Sequence, residues 1–155
     1  MGDAAVSVPL AKTTTNLATP PLPAVPLQTR NVGGQMARVL IVDDSPTETH
    51  KLTTILEKNG HAVIAATNGE NGVDVAREQH PDVILMDIVM PGLNGFQATR
   101  QLSKDDNTAG IPIIIVTTKD QDTDRVWGMR QGARAYLTKP VDEGKLLGTI
   151  EEVLA

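Results

Sequence analysis

Five short apolar runs, each separated from the next by room for a single helix, constrain this chain more than any other feature. RVLIV (38–42), AVIAA (62–66), VILM (83–86), PIIIVT (112–117) and AYLT (135–138) predict strands, and the third and fourth are apolar enough to be covered on both faces. Strands joined through single helices pair in parallel by right-handed crossovers. The expected fold class is α/β, a doubly wound five-stranded parallel sheet with helices on both faces, in a single domain. The first helix opens on Ser45-Pro46-Thr47-Glu48: Ser45 can cap, Pro46 takes the first helical position and Glu48 can reach back; the helix closes near Asn59-Gly60. The last runs from about Asp142 to Leu154, with Leu146, Leu147, Ile150, Val153 and Leu154 on one apolar face.

Ligands of such sheets bind beyond the carboxyl ends of the strands, where strand order reverses. Asp43 and Asp44 follow the first run, Asp87 the third, Thr117 and Thr118 close the fourth, and Lys139-Pro140 follows the fifth. If strands one and three are neighbours, three carboxylates meet at one edge, each raising the others' pKa unless a cation intervenes. A hard divalent ion answers that repulsion, and Mg²⁺ typically takes one or two carboxylates plus phosphate oxygens and water. A carboxylate oxygen of Asp87 can attack a phosphoryl group, Asp43 and Asp44 hold the metal, and Lys139 and the Thr117 hydroxyl meet phosphoryl oxygens. Taken singly, an acidic pair before Ser-Pro is ordinary helix N-terminal charge, and Thr-Thr or Lys-Pro after a strand is ordinary turn chemistry. Their joint placement at the same ends of alternate strands points to a site.

The totals exclude other classes. A length of 155 residues with 40% hydrophobic content suits one domain with a core, and a net charge of −5 leaves no electrostatic footprint for nucleic acid. No apolar run is long enough for membrane insertion. The absence of cysteine removes thiolate nucleophiles and Cys-type zinc sites and fits a reducing compartment, so a cytoplasmic location is expected. Residues 1–35 hold five of the ten prolines and only three charged residues, and they read as a disordered Pro/Thr-rich arm preceding a domain over 36–155. Neither a secretory signal nor a myristoylation pattern fits the arm, since Gly2-Asp3 replaces a basic opening and Val6 stands where the latter needs a hydroxyl. Met36 offers an internal start, which would make the arm dispensable.

The runs LIVDDS, DVILMDIVMPGLNG, PIIIVTTKD and GARAYLTKP, in this order and spacing, resemble the motifs of bacterial response-regulator receiver domains of the chemotaxis-regulator type, over about Ala37 to Leu154. That resemblance implies strand order 2-1-3-4-5. It also implies Asp87 as phosphoacceptor, Asp43 and Asp44 as the acidic Mg²⁺ site with the Val89 backbone carbonyl as a further ligand, and Thr117, Tyr136 and Lys139 as switch residues. A cis bond at Lys139-Pro140 is implied as well. GLNGFQATRQL, together with TTKDQDTDRVWGMRQGARAYLTKPVD, is similar to regulators of type IV pilus twitching motility. The arm, Val89 and Lys119 stand outside or at variable points of the family pattern, so the lifetime of a phosphorylated state does not carry over.

Other signals are weaker. Asp120 to Asp124 starts like a calcium loop, but Arg125 replaces the turn glycine and Gln131 the bidentate glutamate. His50, His61 and His80 show no ligand spacing and read as lone surface histidines. Trp127, with Val126 and Met129 on the fourth helix, is either packing or a partner anchor beside Tyr136.

The expected function is therefore a single-domain response regulator, not an enzyme, phosphorylated by a sensor histidine kinase with a CheA-like phosphodonor and signalling through contact with a downstream protein target. One alternative is a phosphate sink that drains the kinase. Another is an Asp-nucleophile, Mg²⁺-dependent phosphatase, but that pattern needs a second acid two residues after the nucleophile, where Val89 stands.

Overall fold

The computed structural model describes residues 36–155; the arm expected over 1–35 lies outside the described residues. Ten elements alternate: β1 (Arg38–Val42), α1 (Pro46–Lys58), β2 (Ala62–Ala66), α2 (Gly69–Gln79), β3 (Val83–Met86), α3 (Gly95–Lys104), β4 (Ile113–Thr117), α4 (Asp122–Gln131), β5 (Ala135–Thr138) and α5 (Glu143–Leu154). The sheet is parallel throughout, in the order β2-β1-β3-β4-β5, which is the 2-1-3-4-5 arrangement expected. Strand β1 therefore lies between β2 and β3, and its register sets Val42 opposite Met86, so the residues just beyond both strands emerge together.

Period-two alternation along the strands divides the core. Val39, Ile41, Val83, Leu85, Ile114 and Val116 face α1 and α5 through Leu52, Leu56, Leu146 and Ile150. Leu40, Val42, Ile84, Met86 and Ile113 face α2 and α3 through Val73, Ala76, Ala98 and Leu102. Strands β3 and β4 are buried on both faces, as their unbroken apolar runs predict, whereas the edge strand β2 is partly exposed. A smaller cluster of Ile88, Ile115, Ala133 and Tyr136, with Phe96 against it, fills the corner between α3, α4 and β5.

Several local expectations are refined. Ser45 caps α1 by accepting from the Glu48 N–H at 3.3 Å, but the Glu48 carboxylate lies 3.6 Å from Lys51 Nζ rather than reaching back. Strand β4 starts at Ile113, because Pro112 has no N–H for the ladder, although its carbonyl accepts from Ile84 N at 3.0 Å. On α5, Leu146 and Ile150 are buried while Leu154 is exposed, so the apolar face ends before the helix does. His61 corrects the surface reading: it is buried, and its Nδ1 accepts from the Ala37 N–H at 3.0 Å, satisfying a backbone donor where the chain enters β1. The Lys139-Pro140 bond is cis.

Candidate functional site

Backbone hydrogen bonds extend the strands just far enough to aim the site residues. Asp43 N donates to Ala66 O at 3.1 Å, Asp87 N to Val42 O at 2.9 Å, and Lys139 N to Thr117 O at 2.7 Å. Each of these residues sits one step past its strand, pinned to the strand beside it. Their side chains converge at one mouth. Asp43, Asp44 and Asp87 bring carboxylate oxygens within 4.8 Å of one another.

Lys139 Nζ reaches across from β5 and donates to Asp43 Oδ2 at 2.7 Å and to Asp87 Oδ2 at 3.4 Å. The remaining oxygens have backbone donors: Ser45 N meets Asp43 Oδ1 at 2.9 Å, and Ile88 N meets Asp87 Oδ1 at 2.8 Å. Asp43, Asp87 and Thr117 are buried, and Asp44 is exposed. Thr117 closes the β4 side, where its Oγ1 accepts from Lys119 N at 3.4 Å.

Burial pushes the Asp87 carboxyl above its ordinary range; Lys139 pulls against that shift, the neighbouring Asp43 charge adds to it, and the Thr117 and Ile88 hydrogen bonds oppose it. The same burial works against the charged form of Lys139, but its hydrogen bond to Asp43 and the fields of Asp87 and Asp43 prevail and hold it above its usual value. Three carboxylates thus face one ammonium, and two negative charges are left over. That excess, presented by hard anionic oxygens, fits a divalent cation of the Mg²⁺ type, and these three aspartates form its binding site. When bound, Mg²⁺ supplies charge neutralisation for an incoming phosphoryl group.

The remaining expected residues lie on the β3–α3 loop, β5 and α4. Val89 follows on the β3–α3 loop, two residues after Asp87, and is 57% exposed. Tyr136 is buried, and its hydroxyl donates to Lys119 O at 2.7 Å; the ring points inward. Of the two residues expected on a partner surface, Trp127 is the exposed one at 48%, its ring 6.5 Å from Phe96 in an edge-on arrangement. Composition and spacing gave no signal for Arg125, whose guanidinium covers the Tyr136 ring.

Fold and site together define a phospho-accepting receiver module, and residues 39–151 match the response regulator receiver domain family, to which this chain belongs. It is 72% identical over 120 residues to the protein PilH of Pseudomonas aeruginosa, covering 77% of this chain and 99% of that one. Among solved structures it is similar to the Vibrio cholerae chemotaxis protein CheY4, with TM-score 0.72, 31% identity, and coverage of 77% of this chain and 99% of that one. It also resembles the receiver domain of a Pseudomonas aeruginosa sensor histidine kinase, solved with magnesium in its active-site cleft, with TM-score 0.71, 30% identity, and coverage of 76% and 97%. Several longer regulators are matched over about half their length or less, at 49%, 26% and 52%. As a receiver domain the chain is a phosphorylation-state signalling module rather than an enzyme with turnover, and its phosphoryl donor is a sensor histidine kinase. Among the described residues no helix is long and apolar enough to cross a membrane.

Proposed function

We propose that Asp87 is the phosphoacceptor of a chemosensory phosphorelay and that the protein signals by phosphorylation-dependent contact with a downstream target. The observation that carries this reading is the bridge from Lys139 to both Asp43 and Asp87, which brings cation, metal-binding acids and acceptor to one point. An Asp87 carboxylate oxygen forms a bond to the phosphorus of a phosphohistidine as the P–N bond breaks. The electron pair returns to the imidazole, which takes a proton from solvent. Asp43 and Asp44 hold Mg²⁺ with the Val89 carbonyl, while Lys139 and the Thr117 hydroxyl bind the transferred oxygens.

The added charge draws Thr117 and Lys139 toward Asp87, and Tyr136 couples that movement to the face around α4 and β5. A tenfold change in partner affinity there needs only about 1.4 kcal/mol. Trp127, exposed beside Val126 and Met129, is the anchor a partner meets. The setting is a CheA-like kinase in the cytoplasm that controls type IV pilus twitching motility; its support is the similarity to twitching-motility regulators and the 72% identity with PilH.

Incubation with acetyl phosphate and Mg²⁺ tests the reading. Labelling that requires the divalent ion and disappears in Asp87→Asn is expected, and a label that survives that substitution defeats it. A pull-down with and without beryllofluoride then separates target contact, in which a partner is gained, from a phosphate sink, in which none is.

A further inference from the structure

Tyr136 is the only tyrosine of the chain, and it is held from two sides. Its hydroxyl donates to Lys119 O at 2.7 Å, which fixes the far end of the ring. From α4, the Arg125 guanidinium lies 4.9 Å over the ring centroid, and Arg125 Nη1 donates to the Tyr136 backbone carbonyl at 3.0 Å. Both described side-chain contacts of Arg125 therefore go to this one residue. The hydrogen bond fixes the planar cation relative to the strand, and the fixed cation covers the ring. Along one edge of the ring α4 offers only Gly128, where an added Cβ would stand 3.2 Å from Tyr136 Cδ2.

Ordinary surface packing does not account for this arrangement. Helix α4 buries only Gly128 and Gln131, and Gln121 at its N-terminus makes no capping bond. Arg125 is itself exposed, so it is not filling a core. Its guanidinium is directed to Tyr136 although acidic residues Asp122 and Asp124 stand just before it on the same helix.

We propose that Arg125 is a positioning residue for the switch: it holds the Tyr136 ring inward and so sets how much of the partner-binding face is formed before phosphorylation. This rests on the reading that partners respond to the position of Tyr136. A cation over a ring together with one charge-assisted hydrogen bond biases an inward–outward equilibrium by roughly tenfold. Because Arg125 is exposed on the same helix as Trp127, a partner that engages α4 reaches the arginine and the tryptophan together.

The test uses the full chain carrying fluorotyrosine, which gives a single fluorine resonance because there is a single tyrosine. In Arg125→Ala that resonance is expected to move toward the position of solvent-exposed fluorotyrosine. In the unlabelled variant, tyrosinate absorbance is expected to appear at lower pH than in the parent, where burial first and then the Asp124 charge push the phenol up to about 12. Loss of the Arg125 charge alone raises a phenol's pKa, so a downward movement reports a ring that has reached water. Arg125→Gln, which keeps an N–H donor but no cation, is expected to fall between parent and alanine, and it serves also if the alanine variant folds poorly.

An unmoved resonance with an unmoved or raised titration overturns the proposal. Acetyl phosphate labelling of Asp87 is expected to persist in Arg125→Ala. Absence of label in the parent protein would instead overturn the phosphorylation reading, leaving the ring measurement intact.

Discussion

Helices α3 and α4 are neighbours in the fold, yet they are held in opposite ways. Helix α3 buries Gly95, Ala98, Thr99 and Leu102 and starts from a closed capping box between Asn94 and Gln97. Helix α4 buries two residues, lacks a side-chain cap, and exposes Val126, Trp127 and Met129. The first is welded to the Asp87 backbone: Gly95 N donates to Ile88 O at 3.0 Å, and a Cβ on Gly95 would fall onto the Asp87 carbonyl oxygen. The second rests on a tyrosine ring. Burial is concentrated beside Asp87 and sparse on the face proposed for a partner, as expected if switching elements come from the low-stability end of a fold.

The sharpest break in this comparison is a pair of truncations. Leu102→Ala, at a fully buried position of α3, is expected to cost about 3 kcal/mol in urea unfolding, whereas Met129→Ala on α4 stays within about 0.5 kcal/mol. Equal costs would mean that α4 is not loosely held. Next come the glycines. Gly95→Ala meets backbone and is expected to lose about 2 kcal/mol along with acetyl phosphate labelling. Gly128→Ala meets the Ile115 and Tyr136 side chains, which can give, and is expected to lose about 1 kcal/mol and keep its label.

The site can also be set against the core. Asp87 is buried beside Asp43 with its pKa raised, so the folded state holds its proton more tightly than the unfolded state does. Stability is lost as pH rises through the folded pKa. Asp87→Asn is therefore expected to gain about 1 kcal/mol at neutral pH, a gain that shrinks in acid; a variant less stable than its parent at neutral pH would contradict this.

The smallest effect belongs to His61, whose pKa is lowered by burial although Glu151 opposes the shift. Here the unfolded state binds the proton more readily, so stability falls as pH drops through about 6.5. His61→Gln is expected to flatten that dependence, as read from melting temperatures across the same range.

Much of this was legible before any coordinates. The five strands and the placing of Asp43, Asp44, Asp87, Thr117 and Lys139 at one end of the sheet follow from short apolar runs with polar residues at matching ends, because a parallel sheet sends all its carboxyl ends the same way; the strand order came from the resemblance to receiver domains, since the runs alone leave it open. Residues whose role depends on a neighbour far along the chain were not legible. His61 looks like a surface residue until β1 supplies the Ala37 N–H, and Arg125 looks like solvated charge until β5 lies alongside α4. Leu154 has the right spacing for the apolar face of α5 and is nonetheless exposed, since periodicity marks a stripe and not where the sheet beneath it ends.

The contact between Lys139 and Asp43 joins residues 96 positions apart. A chain emerging from the ribosome presents its metal-binding acids and Asp87 long before the lysine, and the mouth closes only once β5 has paired with β4. Competence to receive a signal thus waits on β5, however early the acids themselves have emerged. A kinase that requires the finished mouth passes its phosphoryl group only to copies in which β5 has already folded onto β4.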